Sequence, residues 1–208
     1  AYTHIESLST GLPALTHLGV EALTGQNARN LTTDFPRAFA AFHLKHLDLI
    51  RVRLPHGLAI LPILKSLRTV PSLTSLTVPS AEEGDNVKVI EALRALPALK
   101  TLHLSLHDPR DSDLQAVSTL SSLTALNLVT PEDVSHQCAP PSSLTAKLLT
   151  LSRLVRLHAE TDMTGGGCGC RGYLHLGRLP ALKELNLICG DLPMEDEDGE
   201  DLDTEAAL

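Results

Sequence analysis

Seven times along the chain the template L-x-x-L-x-x-L-x-L can be laid down with an aliphatic residue at every anchor. The anchors are Leu12, Leu15, Leu18 and Val20, then Ala41, Leu44, Leu47 and Leu49, then Val70, Leu73, Leu76 and Val78. They continue as Leu96, Leu99, Leu102 and Leu104, then Leu120, Leu123, Leu126 and Leu128. The last two sets are Leu151, Leu154, Leu157 and Ala159, and Leu179, Leu182, Leu185 and Leu187. Successive starts lie 29, 29, 26, 24, 31 and 28 residues apart. Residues 96–104 (LPALKTLHL) and 179–187 (LPALKELNL) differ at only two of nine positions. A period of this length is the mark of a stacked solenoid, since no single unit can bury its leucines alone.

Two spacings coexist in the template. The final anchors are two apart, which puts both side chains on one face of a strand. The first two are three apart, the step of a helix face or helical turn. Helices are expected upstream of the anchors. Asn86 to Ala95 carries apolar residues at 87, 89, 90 and 93, behind an acidic start of Glu82, Glu83 and Asp85 that suits the helix dipole. Ser112 and Asp113 are placed to cap LQAVSTL, and Ser142 and Ser143 to cap LTAKLLTL, with Pro140 and Pro141 closing the loop before it. The expected fold is α/β: about seven units, a parallel sheet on the concave side and helices on the convex side. At about 4.8 Å per strand the sheet would span roughly 30 Å.

The pattern resembles the leucine-rich repeat superfamily, over about residues 5 to 192. Its helical units look most like the ribonuclease-inhibitor-like and F-box-associated branches. Family repeats often place Asn or Cys three residues after the last strand leucine, where it bonds turn backbone. Here those positions are Leu23, Val52, Ala81, His107, Pro131, Asp162 and Gly190, so the repeats are irregular, as F-box-linked ones often are. The resemblance implies a non-enzymatic protein-interaction scaffold, including the substrate-recognition part of an F-box ubiquitin-ligase adaptor. The alternatives are a regulator of a small GTPase and an architectural subunit of a large assembly.

Composition agrees with a repetitive core. Leucine supplies 42 of 208 residues, while aromatics, the usual source of bulk in an irregular core, are 2%. The net charge of −8 is carried by the end of the chain, where eight acids fall within residues 195–205. Setting those aside leaves 17 acidic against 17 basic residues, a neutral body poorly suited to nucleic acid or an anionic membrane. Residues 1–194 are therefore read as the repeat domain. Residues 195–208 are read as an acidic tail, a linker or the start of a further repeat. No run of eighteen apolar residues occurs, so no membrane span is expected. Ala1 opens the chain without a Met or a leader, and neither end shows a polar cap, so a monomeric module within a longer chain or complex is expected. Four unevenly placed cysteines do not resemble a disulfide framework, and an intracellular (cytoplasmic or nuclear) setting is expected. The sequon Asn30-Leu31-Thr32 would matter only in a secreted protein.

Strand alternation sends three columns of side chains to the open face of the sheet. The first is His17, His46, Ser75, Thr101, Ala125, Arg156 and Glu184; the second is Gly19, Asp48, Thr77, His103, Asn127, His158 and Asn186. The third is Glu21, Ile50, Pro79, Ser105, Val129, Glu160 and Ile188. The residues expected to meet a protein partner are His46, Asp48, Ile50, Thr77, Thr101, His103, Asn127, Val129, Arg156, His158, Glu160, Glu184 and Asn186. Interface hot spots favour Trp, Tyr and Arg, and of these the columns hold only Arg156.

No catalytic residue, metal or cofactor is assigned. His103 and His158 share a column near Glu160, but a strand between them sets their Cα atoms about 10 Å apart. GGGCGCRG, residues 165–172, holds a C-x-C pair one loop after His136 and Cys138, a spacing that matches no strong zinc signature. It also lacks the context of a phosphate loop and is read as a low-complexity loop. Cys189 is expected to face inward with Leu185 and Leu187.

Overall fold

The computed structural model describes residues 12, 14–21, 43–51, 60–79, 86–106, 110–130, 146–161 and 176–189. Within them seven strands form one parallel sheet in chain order: β1 (His17–Glu21), β2 (His46–Arg51), β3 (Ser75–Val78), β4 (Thr101–Ser105), β5 (Ala125–Thr130), β6 (Arg156–Thr161) and β7 (Glu184–Cys189). Each strand carries the last two anchors of one template. Pairing aligns the columns: Thr101, Ala125, Arg156 and Glu184 face one another in register, as do His103, Asn127, His158 and Asn186. The third column departs from expectation at its start. A register shift between Gly19 and Glu21 pairs Glu21 with Arg51 rather than with Ile50. Such a shift inserts an extra residue on one strand, which alternation alone does not reveal.

The three-residue spacing of the first two anchors has its own cause. In six repeats the N–H of the second anchor donates to the carbonyl of the first, at 2.9–3.3 Å (Leu15 to Leu12, Leu99 to Leu96 and their equivalents). The spacing closes a tight turn that aims the chain into the strand. The turn is followed by a second regularity. The carbonyls of Thr16, Lys45, Thr74, Lys100, Thr124 and Val155 each accept two N–H groups from the next repeat, at 2.7–3.1 Å. The entries to β2–β7 are each thereby tied to the preceding repeat by two backbone donors.

The helices described from end to end are α1 (Leu61–Ser66), extended by a 3-10 turn over Leu67–Thr69, α2 (Asn86–Arg94) and α3 (Asp111–Val117); residues 146–148 are also helical, and residues 176–178 form a 3-10 turn. The sequence reading did not single out α1; Pro62 occupies its first turn, where a missing N–H costs nothing. The cap expected from Ser112 and Asp113 is placed differently. Arg110 is the N-cap residue of α3, and Asp113, at the third helical position, reaches back to accept the Arg110 N–H at 2.9 Å. The same carboxylate oxygen accepts a hydrogen bond from Asn86 Nδ2 at 3.0 Å, linking the starts of α2 and α3. The acidic residues 82, 83 and 85 lie outside the described residues, as do Ser142 and Ser143.

One hydrophobic cluster joins sheet and helices. Leu102, Leu104 and Leu128 are fully buried, and the helical residues Ile63, Ile90 and Val117 close over them. A further anchor precedes the third to seventh templates by three residues: Leu67, Leu93, Val117, Leu148 and Leu176 are all buried, and each carbonyl accepts the N–H of the first template anchor. The alternation of buried inward and more open outward positions holds from β2 to β6. At the two ends of the described sheet it weakens, with Leu12 47% and Leu185 45% exposed, each having a described repeat on one side only.

Candidate functional site

The face of the sheet away from the helices is the one surface assembled from every described repeat. On it the backbone is spent in the ladder, so recognition falls to side chains standing at strand spacing, about 4.8 Å apart. Over β4–β7 these side chains border an open trough of about 710 Å³. The expected contact residues Thr101, His103, Asn127 and Arg156 line it, together with His158, Glu184 and Asn186. Six lining residues were not among those expected: Leu102, Leu126 and Leu157 of the floor, the column residue Ala125, and Lys183 and Leu185. Lys183 precedes the first column by one position and so escapes a reading based on strand alternation. Leu185 points the inward way but is open because β7 ends the described sheet.

Other expected residues share the face without joining the trough. His46, Asp48 and Thr77 stand on β2 and β3, and Val129 and Glu160 lie further along β5 and β6. Ile50 is on β2, with its side chain outside what is described. The floor of the trough is dry. Leu102, Leu126 and Leu157 beneath it are at most 2% exposed, and Ala125, the one apolar residue of its column, is 8% exposed.

Asn127 stands on β5, between the strands of His103 and His158, and is hydrogen-bonded to His103. Its Nδ2 lies 2.9 Å from His103 Nδ1, and its Oδ1 is buried with no hydrogen-bond partner among the described residues. The His103 pKa is held below 6.5 by burial above all, with His158 pushing the same way and Asp48 and Glu160 opposing. A neutral ring with an Nδ1 acceptor is therefore the form that matches Asn127 as donor. At the other end of the face His17 and His46 stack with ring centroids 4.0 Å apart and planes 7° from parallel. The His46 pKa is also lowered, by desolvation first and then by His17 and Lys45.

As expected, a strand separates His103 from His158. Among the described residues no three metal-ligating side chains converge. Residues 165–172, with Cys168 and Cys170, lie outside the described residues, as do His136, Cys138 and the acids of 195–205. Cys189 closes β7 in register with Thr161, its side chain outside what is described. Among the described residues no helix is long and apolar enough to cross a membrane.

Seven parallel strands in sequence order, each fed by a leucine-anchored turn over a shared leucine core, make this a leucine-rich-repeat solenoid. No protein-family model and no curated protein sequence matches the chain. Among solved structures it is similar to a TLR13–ssRNA13 complex, with a TM-score of 0.47 and 21% identity over 89% of this chain and 27% of that one. It is also similar to an internalin (inlF) from Listeria monocytogenes str. 4b F2365, with a TM-score of 0.30 and 16% identity. That match covers 91% of this chain and 66% of the internalin, so the chain spans about a quarter of the first neighbour and just under two thirds of the second.

Proposed function

We propose that the domain is a non-enzymatic protein-binding scaffold whose contact surface is the trough over β4–β7. One observation carries the reading: an open trough of about 710 Å³ whose polar rim comes from four consecutive strands, over leucines that are buried in β4, β5 and β6. A rigid floor lowers the ordering cost of association, and a mixed polar rim supplies specificity. The opening is too wide to exclude water from a reacting centre, which favours recognition over chemistry.

The roles of F-box adaptor, small-GTPase regulator and architectural subunit all fit such a scaffold, and partner identity separates them. A photo-crosslinking amino acid placed at Asn186 or Thr77, on the open face, is expected to capture a protein partner. The same probe at Arg94, on the helical side, is expected to capture none. Cullin-ligase adaptor proteins recovered with the partner would favour the F-box role, a small GTPase the second, and a fixed stoichiometric complex the third. Capture from Arg94 alone would overturn the choice of face.

A further inference from the structure

The trough is richer in hydrogen-bond donors than in acceptors, and its cations are unspent. Arg156 and Lys183 are exposed and stand on adjoining strands at the same rim. Neither forms an ion pair among the described residues, although Glu184 is the register neighbour of Arg156. A guanidinium presents five N–H groups in a planar fork and an ammonium three, all seeking acceptors. Asn186 adds an exposed amide on β7.

His103 extends the donor set. Because its Nδ1 takes the Asn127 Nδ2 hydrogen, the one proton of the neutral ring sits on Nε2, at the far edge of the imidazole. In the first column Ala125, buried between Thr101 and Arg156 in register, adds no polar group of its own. A ligand group at the rim over β6 and β7 meets Arg156 and, one residue before β7, Lys183. Among the described lining residues the opposing charge is Glu184 alone. An acceptor-rich, negatively charged group is the complement of this arrangement.

We propose that the trough binds an acidic peptide segment of a partner protein, laid across β4–β7. An Asp or Glu carboxylate of that segment sits between Arg156 and Lys183, and a peptide carbonyl accepts from His103 Nε2. This rests on the scaffold reading and gives it a ligand class.

The test is fluorescence anisotropy with the full chain and fluorescein-labelled eight-residue probes of alternating Glu and Ala, Gln and Ala, or Lys and Ala, beside an eight-residue oligouridylate. The Glu peptide is expected to bind at least about 5-fold more tightly than the Gln peptide, and to weaken as salt rises. Arg156→Gln and Lys183→Gln are each expected to weaken it by about 5- to 10-fold. Lys65→Gln, on exposed helix surface, is expected to leave it unchanged. Both trough variants replace exposed side chains, and matching thermal melts check that they fold. Equal binding of the Glu and Gln peptides, or indifference to Arg156→Gln, overturns the proposal. Preference for the oligouridylate overturns it in favour of a nucleic-acid ligand. Binding that emerges only after the eight acids of residues 195–205 are changed to amides overturns it in favour of the chain's own end. A partner crosslinked from Asn186 while no acidic probe binds would sink the ligand class and leave the scaffold standing. Absence of trough crosslinks would sink both.

Discussion

Leu102 and His103 are chain neighbours on β4 with opposite fates, and exchanging their roles is the most direct test of the architecture. Leu102 is fully buried between sheet and helices, and its register partners Leu76 and Leu126 are 1% and 2% exposed. Leu102→Ala removes a well-packed side chain and leaves a cavity, at a cost of about 2–5 kcal/mol. Leu102→Asp forfeits the same burial, about 1.5–3 kcal/mol, and adds several more for a carboxylate with no partner in a dry seam. Against a domain stability on the order of 5–15 kcal/mol, that is enough to melt the neighbouring repeats. His103 is half-buried and loses one hydrogen bond, to Asn127, so His103→Ala should cost about 0.5–1.5 kcal/mol. Urea unfolding followed by far-UV circular dichroism reads both. Leu102→Ala should lower the midpoint well below that of His103→Ala. Leu102→Asp should in addition reduce the slope, as partial unfolding of a solenoid would. A His103→Ala midpoint at or below that of Leu102→Ala would mean that inside and outside have been assigned the wrong way round.

Other outcomes follow from particular contacts. His103 binds a proton less readily when folded than its ordinary 6.5, so acidification favours the unfolded chain. Thermal stability should therefore fall as pH drops below about 6.5, and level off once the folded ring is protonated. His103→Gln, which keeps an acceptor for Asn127, should make that fall smaller in melts between pH 7.5 and 5. Asp113→Ala strands two donors, the Arg110 N–H and Asn86 Nδ2, and should cost about 1–3 kcal/mol in urea unfolding. Leu93→Ala, at the anchor upstream of the fourth template, should cost about 2–5 kcal/mol, comparable to a strand leucine. A value under about 1 kcal/mol would deny it the status of an anchor.

The strands were legible because the Leu-x-Leu step is a covalent fact: once 102 and 104 face the core, 101 and 103 face away. The register followed because every unit enters its strand at the same template position. Less local features were hidden. The shift between Gly19 and Glu21 is decided by how two strands meet, and neither strand announces it. The cap of α3 was placed at Ser112 and Asp113 because these are good capping types, yet Asp113 acts from inside the helix on Arg110. The anchors at Leu93 and Leu176 obey the same three-residue step as the template. Extending it by one turn would have found them. The trough was half legible: its column residues could be named from alternation, but its limits depend on neighbours tens of residues away. Lys183 matters only because it stands at the start of β7, next to the strand that carries Arg156.

The carbonyls that each hold two amides of the following coil have an evolutionary corollary. Since every joint is made by the same backbone atoms, any unit can follow any other, and copying one inserts a rung without disturbing the rest. Two nonapeptides agreeing at seven positions, 83 residues apart, show how nearly alike two rungs of one frame can be. Gain or loss of a rung would alter which side chains border the groove, and so offers a route to new specificities on an unchanged frame.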